Sequence, residues 1–266
     1  MKVAGALRIA VLGAALLGLA ATAFVTARAE IPLDQRRSSY DDMSRETRAM
    51  QDDDTSNPAM LSVLDGEALW NTKAGASGKS CADCHGDARL SMKGVAARYP
   101  AYDEAAGRAV NIEQRINLSR ERDQKAAPFR YESAELLALT AYIALQSRGE
   151  PVAPSDDTRI EPFRERGRVL FNQRIGQLNL SCAQCHDDNW GRNLAGNIIP
   201  QAHPTGYPIY RLEWQSLGSL QRRLRNCLTG VRAEPYALGA IEYVELELFL
   251  MWRARGMPME SPGVRP

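Results

Sequence analysis

The segments that decide the fold of this chain are Cys81-Ala-Asp-Cys84-His85 and Cys182-Ala-Gln-Cys185-His186. Both have the pattern C-x-x-C-H, and the second begins 101 residues after the first. Sequence outside the motifs repeats at the same offset, because Gly66-Glu-Ala-Leu-Trp70-Asn71 corresponds to Gly167-Arg-Val-Leu-Phe171-Asn172. The chain therefore contains a tandem duplication.

Each motif has the spacing that attaches a c-type haem. Two cysteines three residues apart lie on the same side of a helical turn, so that each can form a thioether bond to one porphyrin. The histidine after the second cysteine then lies beneath the iron and donates a ring nitrogen. The residues expected to bind two haems are Cys81, Cys84 and His85 in the first copy and Cys182, Cys185 and His186 in the second.

Other uses of the motifs fit the sequence less well. A zinc site needs four ligands at short spacing, whereas the two motifs are 101 residues apart. A thioredoxin-like C-x-x-C does not require the histidine that follows. Disulfide bonds within the motifs are sterically possible, but they leave both histidines unexplained.

The N-terminal segment indicates export. Lys2 and Arg8 precede an apolar run from Ile9 to Val25, and Ala27-Arg28-Ala29 supplies the small residues of a cleavage site. We expect residues 1–29 to be removed as a signal peptide. The alternative is a membrane anchor, for which the run is short. No later segment is long and apolar enough to cross a bilayer, so we expect no membrane span after signal removal.

The charge argues against nucleic acid as a partner. The formal net charge is +1, and loss of the three basic residues in 1–29 changes it to −2. Binding to nucleic acid phosphates needs a surplus of Lys and Arg.

Prolines 151 and 154 forbid a continuous helix between the two copies. We therefore expect a charged lead-in at 30–60, a first domain at 61–150 and a second domain at 155–266.

Each copy is predicted to be mainly helical. Apolar residues recur at helical spacing over 135–146 and 241–251, and no segment alternates cleanly enough for a sheet. Gly66 and Gly167, each followed four residues later by an aromatic ring, allow a first helix to cross a last helix closely. This arrangement resembles the contact of the terminal helices in small class I cytochromes c. The expected fold is therefore mainly α, with two tandem class I cytochrome c-like domains.

A haem iron with one histidine has an open axial position, which Met, His or a thiolate usually fills. The second domain offers His203, Cys227, Met251, Met257 and Met259. His203 lies in a loop before a proline, and the alternative for it is a solvated histidine. Cys227 is outside the motifs, and the alternative for it is a buried structural thiol.

The sequence around Cys227 favours a reactive thiol. Ser219 is suited to cap a helix on which Arg223 shares a face with Cys227, because the two lie four residues apart. Positive charge lowers the pKa of a thiol, and a thiolate beside a guanidinium can attract and react with a small anion. Arg222 and Arg225 add to the charge, unless they form only a solvated basic face.

Four stretches of the second copy carry a resemblance to a known family: Gly206-Tyr-Pro-Ile-Tyr-Arg211-Leu-Glu-Trp214-Gln215, Gly218-Ser219-Leu-Gln-Arg-Arg223, Cys227 and Val231-Arg232-Ala233-Glu234-Pro235. They resemble the SoxA subunit of the SoxAX cytochromes of periplasmic sulfur oxidation, and the resemblance extends over both domains.

The resemblance implies an enzyme in the periplasm. In the family, the C-terminal iron is held by a histidine and a modified cysteine, here His186 and Cys227. Cys227 is then the catalytic sulfur, carried as a persulfide, and Arg223 binds thiosulfate. The implied activity is that of an L-cysteine S-thiosulfotransferase, which joins thiosulfate to a cysteine of the carrier protein SoxY. Electrons leave through the SoxX cytochrome, with which the subunit forms a heterodimer.

The first domain departs from the family pattern. Two-haem members usually place a cysteine ligand where this chain has Ser119, which the duplication aligns with Cys227. A neutral hydroxyl is a poor iron ligand beside a thiolate. The first iron is then five-coordinate, water-bound, or reached by Met92 or Lys93.

Two other functions stay open. An electron-transfer cytochrome with two haems would use Met or His as the sixth ligand and would not need a free cysteine. A thiosulfate dehydrogenase would form tetrathionate without a protein acceptor.

Overall fold

Most of the regular structure is helical in the computed structural model, which describes residues 31–266. The expected signal peptide, residues 1–29, lies outside this range. The α-helices of the described range are α1 (Arg45–Asp52), α2 (Ala59–Asn71), α3 (Cys81–His85), α4 (Ala88–Ser91), α5 (Ile112–Ser119), α6 (Ala134–Leu145), α7 (Glu161–Asn172), α8 (Cys182–His186), α9 (Leu220–Gly230) and α10 (Ile241–Arg253). Among these residues, no helix has the length and apolar character needed to span a membrane.

Short strands accompany the helices and were not predicted from the sequence. They are β1 (Ala101–Asp103), β2 (Arg108–Val110), β3 (Asn193–Leu194), β4 (Asn197–Ile198), β5 (Ile209–Arg211), β6 (Ser216–Gly218) and β7 (Gly263–Arg265). β1–β2 and β3–β4 are antiparallel pairs, while β5 pairs antiparallel with β6 and parallel with β7. Strands of two or three residues are too short to show an alternating pattern in the sequence.

The first and last helices of each repeat cross closely, as the glycine pattern predicted. A Cβ atom on Gly66 of α2 would overlap the backbone carbonyl of Ala138 in α6, and one on Gly167 of α7 would overlap that of Glu245 in α10. Only glycine therefore permits these contacts between backbones. The expected close crossing is confirmed in both repeats.

An aromatic ring near the end of the first helix joins this crossing to the motif. Trp70 is buried, its indole N–H donates to the carbonyl of Gly86, and its ring centroid lies 5.7 Å from that of His85. In the second repeat, buried Phe171 lies 6.5 Å from His186 by ring centroids. The same helix pair thus positions the motif histidine in each repeat.

The motif helices α3 and α8 begin in the same way. The Ser80 hydroxyl accepts the N–H of Asp83, and the Asp83 carboxylate accepts the N–H of Ser80. Ser181 and Gln184 form the equivalent pair of bonds. This reciprocal cap satisfies N–H groups that a helix of five residues would otherwise leave exposed.

The lead-in segment packs against the C-terminal part of the chain. The backbone N–H of Arg37 donates to the side-chain carbonyl of Gln201, and the Gln51 side chain accepts the N–H of Val264. The proposed limits of the lead-in and of the two domains, 30–60, 61–150 and 155–266, stay a prediction.

We predict that Gly66→Ala lowers the free energy of unfolding by about 2 kcal/mol or more, because the new methyl group must push α2 and α6 apart. The matched control is Gly230→Ala, at the end of α9, where an added Cβ has open space. Chemical denaturation of the two variants measures the difference. Equal stability of the two variants would show that the helix crossing is not tight.

Candidate functional site

The first motif lines a cavity of about 270 Å³. Cys81, Cys84 and His85 share its wall with apolar side chains, among them Val95, Ile112, Leu139 and Ile143. All five cysteines lie in the described range and are free thiols. A mainly apolar cavity with two free thiols and a histidine fits a porphyrin attached through thioether bonds.

Two of the side chains considered for the sixth position of this site line the cavity, namely Ser119 and Met92. Lys93 is exposed instead, and its ammonium lies 3.4 Å from the carboxylate of Glu150. An ion pair on the surface competes with any role of Lys93 inside the cavity.

Arg115 is the residue that the duplication aligns with Arg223, and its charge is compensated. It lies 2.7 Å from the carboxylate of buried Asp103, which also binds Arg122 at 2.9 Å. Burial opposes ionisation of Asp103, but the hydrogen bonds from Arg122, Ala106 and Arg115 outweigh burial and hold its pKa below the usual value. At the first site, the arginine that corresponds to Arg223 is therefore neutralised by a carboxylate.

In the second site the motif histidine is oriented by a backbone carbonyl. His186 Nδ1 donates to the carbonyl oxygen of Pro200 at 2.7 Å. This bond fixes the tautomer and leaves Nε2 available as a ligand. Burial also lowers the pKa of His186, which favours the neutral ring that binds a metal.

Cys227 lies close to the second motif. It is half-buried on α9, and Ser219 caps this helix as expected by accepting the N–H of Arg222. Burial raises the pKa of Cys182 to about 12, and the neighbouring Cys227 contributes to this shift. Burial and Cys227 likewise raise the pKa of Cys185. The fold thus brings the fifth cysteine within electrostatic range of both motif cysteines.

Arg223 belongs to the same group of side chains. After burial, its positive charge is the strongest electrostatic influence that lowers the pKa of His186. Burial raises the pKa of Tyr207 to about 12, while Arg223 lowers it and Cys227 raises it. Arg223, Tyr207 and Cys227 therefore lie together beside the second motif.

The two other arginines expected to support Cys227 have different partners. Arg222 stacks over the Trp214 ring at 4.2 Å and donates to the hydroxyl of Ser216. Arg225 donates to the backbone carbonyl of Tyr236. The basic cluster in the sequence is thus divided by the fold, and Arg223 is its member in electrostatic range of His186 and Tyr207.

Arg211 joins the site, although the sequence reasoning assigned it no role. Its side chain is only 11% exposed, and its Nε has no hydrogen-bond partner among residues 31–266. Burial lowers its pKa, and so does the nearby charge of Arg223. Glu213 at 3.4 Å offers a partly exposed carboxylate in partial compensation. The Arg211 side of the site is therefore suited to an additional anion.

The other candidates for the second site lie elsewhere. His203 is buried, donates through Nδ1 to the carbonyl of Arg37, and has its pKa lowered to about 4 by burial, so it is not a solvated histidine. Met251, Met257 and Met259 pack into one core cluster with Ala96 and other residues of both repeats. Of the five side chains considered, Cys227 is the one shown in electrostatic range of both motif cysteines.

Comparison with known proteins decides the family. Residues 65–152 and 166–259 each match the SoxA/TsdA cytochrome c domain. The chain belongs to the SoxA/TsdA cytochrome c domain family. As a cytochrome c of this family it carries covalent haem c, and the predicted mainly α fold with repeated cytochrome c domains is confirmed.

Relatives in the family are similar over most of their length. The chain is 39% identical to the L-cysteine S-thiosulfotransferase subunit SoxA of Pseudaminobacter salicylatoxidans over 235 residues, 88% of this chain and 82% of the relative. It is 37% identical to the subunit of the same name from Rhodovulum sulfidophilum, over 87% of this chain and 81% of that one. The crystal structure of SoxXA from P. pantotrophus matches with a TM-score of 0.83 and 32% identity, covering 87% of each chain.

We predict that Asp103→Asn lowers the free energy of unfolding by about 2 kcal/mol at neutral pH, because Arg115 and Arg122 lose their buried carboxylate. Because the pKa of Asp103 is lower in the folded than in the unfolded chain, its contribution to stability is fully present at pH values above the unfolded pKa. This contribution is lost as the pH falls through the folded pKa. The difference between wild type and variant should therefore shrink in acid. Thermal melting against pH measures it, with exposed Asp156→Asn as control. A difference independent of pH would contradict this explanation.

Proposed function

We propose that this chain is the catalytic subunit of an L-cysteine S-thiosulfotransferase and carries two haem c groups. The observation that best supports this proposal is the position of Cys227, a thiol outside the motifs, beside Arg223 and the second C-x-x-C-H motif. The proposed attachment residues are Cys81, Cys84, Cys182 and Cys185, and the proposed iron ligands are His85, His186 and Cys227.

The reaction defines what the site must provide. Joining thiosulfate to a protein thiol forms one S–S bond and releases one proton and two electrons. When bound, haem supplies a one-electron redox centre for these electrons. The chain itself must bind a dianion, hold a sulfur next to it and exclude bulk water.

Arg223 and Arg211 supply the binding of the dianion. Two guanidinium groups near each other repel, and this repulsion contributes to the lowered pKa of Arg211. An anion between them relieves the repulsion and satisfies the unpartnered Nε of Arg211. Thiosulfate carries its sulfonate oxygens and its reactive sulfur on one small anion, so binding at Arg223 brings that sulfur toward Cys227.

Cys227 holds the sulfur through which transfer occurs. Its half-buried position permits access by the cysteine of an acceptor protein. Thiosulfate exchanges either on the Sγ of Cys227 or on a persulfide sulfur bonded to that Sγ, so in both cases Cys227 is the point of exchange.

The partners follow from this chemistry and from the family. We propose a SoxX-like cytochrome as partner subunit and electron acceptor, because the relatives are named as subunits and a solved relative is titled SoxXA. We propose a SoxY-like carrier protein as acceptor of the thiosulfate group. Removal of residues 1–29 would place the mature chain in the periplasm.

A thiosulfate dehydrogenase is the second candidate, since the matched family spans SoxA and TsdA. An assay with thiosulfate and an electron acceptor, but without a carrier protein, separates the two. Tetrathionate formation at a rate unaffected by the carrier would favour the dehydrogenase. A plain electron carrier would leave thiosulfate unchanged in both assays.

We predict that Cys227→Ala lowers the rate of thiosulfate conjugation at least about 100-fold, because no sulfur is left to exchange. The control is the intact mass of the mature protein, which should still show two haems and the loss of residues 1–29. Full conjugating activity in this variant would refute the proposed role of Cys227. A mass with one haem would correct the proposed cofactor count.

We predict that Arg223→Gln raises the KM for thiosulfate about tenfold or more, the equivalent of one lost hydrogen bond to a charged group. Arg211→Gln should act in the same direction, because it removes the second guanidinium. The matched control is the neighbouring Arg222→Gln, whose side chain stacks on Trp214. Steady-state kinetics measure these KM values. Equal KM values for all three variants would contradict the proposal that Arg223 and Arg211 bind thiosulfate.

A further inference from the structure

A cavity of about 50 Å³ lies between the two repeats. It is separate from the cavity of the first motif, and both polar and apolar side chains line it. Its polar lining comes from both repeats and includes Asn111, Glu113, Thr140, Tyr207, Gln221 and Glu247.

Two carboxyl groups meet at this cavity. Glu113 of α5 is 5% exposed, and Glu247 of α10 accepts a hydrogen bond from the Asn111 side chain at 2.9 Å across the repeats. Burial raises the pKa of Glu247 to about 7. Burial and the charges of Glu247 and Glu132 raise the pKa of Glu113 well above its usual value. Both shifts favour binding of a proton by the pair.

The basic side chains on the elements around the pair have other partners. Arg108 of β2 donates to Gln114, and Arg115 of α5 binds Asp103. On the other side, Arg166 of α7 binds Glu245 at 2.6 Å. The arginines of α9 have the partners already described for Arg222 and Arg225. No basic group contributes to the raised pKa of Glu113 or of Glu247.

The other titratable groups near the pair do not supply positive charge. Glu132 adds a third carboxylate, and it accepts the N–H of Ser219. Tyr99 and Tyr207 line the cavity, and burial raises the pKa of both, so they stay neutral. The electrostatic potential at the two carboxyl groups is therefore negative, which favours binding of protons there.

An unpartnered amide points to a bound water in the same place. Gln221 is 1% exposed and accepts the N–H of Gly239 through its carbonyl oxygen. Its Nε2, however, has no hydrogen-bond partner within residues 31–266. A cavity of about 50 Å³ exceeds the roughly 10–15 Å³ that one water molecule needs. Water that accepts from Gln221 Nε2 and donates to Glu113 and Glu247 would satisfy all three groups.

The cavity lies between the two proposed redox sites. Tyr99 and Ile112 line it and also line the cavity of the first motif. Tyr207 lines it as well and is within electrostatic range of Cys227 and Arg223. Charge added to either site therefore acts on the carboxyl pair from nearby, where a partly buried environment weakens screening by water.

We propose that Glu113, Glu247 and water in the inter-repeat cavity form a redox-linked proton site. When the protein gains an electron, the pair takes up one proton from solvent; when the electron leaves, the proton is released. The balance is oxidised protein plus one electron plus one proton giving the reduced, protonated protein. This inference rests on the haem c of the family and is independent of thiosulfate activity.

The test is a spectroelectrochemical titration of the holoprotein with redox mediators over the range of about pH 5 to 9, which brackets the ordinary and the raised carboxyl pKa. Wild type should show a midpoint potential that falls as pH rises, by up to about 59 mV per tenfold change in proton concentration. Glu247→Gln, which keeps the shape and removes the ionisation, should flatten this dependence. Glu242→Gln on the same helix, outside the cavity lining, should keep it.

A second measurement separates a proton site from a merely structural one. Because the pKa of Glu247 is higher in the folded than in the unfolded chain, its contribution to stability is fully present at pH values below the unfolded pKa. This contribution is lost as the pH rises through the folded pKa of about 7. Melting temperatures of wild type should therefore fall over that interval, and those of Glu247→Gln should not. A potential independent of pH in wild type, or an unchanged slope in both Glu247→Gln and Glu113→Gln, would overturn the proposal.

Discussion

The close crossing of a first and a last helix is the constraint on which both sites depend. Gly66 and Gly167 allow backbone to meet backbone, so that α2 packs on α6 and α7 packs on α10. The aromatic ring four residues after each glycine then contacts the histidine of the following motif. The position of each motif histidine is therefore set by a helix pair rather than by a loop.

The duplicated scaffold supports two sites of different character. In the first repeat Asp103 compensates Arg115, and Ser119 stands where the second repeat has Cys227. In the second repeat Arg223 lies near Arg211 and a thiol, and the carboxylate beside Arg211 is the half-exposed Glu213; this difference favours anion chemistry there. The inter-repeat cavity places the carboxyl groups of Glu113 and Glu247 between the two sites, with each carboxyl contributed by a different repeat.

Local patterns in the sequence predicted the motifs, the helix pairs and the cap at Ser219, because each depends on residues close together in the chain. The strands were not predicted, because segments of two or three residues are too short to show the alternation of apolar and polar side chains that indicates a strand. Arg211 was quoted within the family-like stretch, yet its role emerges only when β5 brings it beside α9. The same holds for Glu113 and Glu247, which are 134 positions apart in sequence and line the same cavity between the repeats. Basic residues adjacent in sequence, in contrast, were separated by the fold.

The most direct test of the central claim, that the sulfur of Cys227 serves the iron held by His186, is low-temperature electron paramagnetic resonance of the oxidised holoprotein. The account predicts a low-spin signal typical of histidine and thiolate ligation in wild type, and its loss in Cys227→Ala with the other haem signal unchanged. A wild-type spectrum without a thiolate signal, or one that is identical in the variant, would contradict the account.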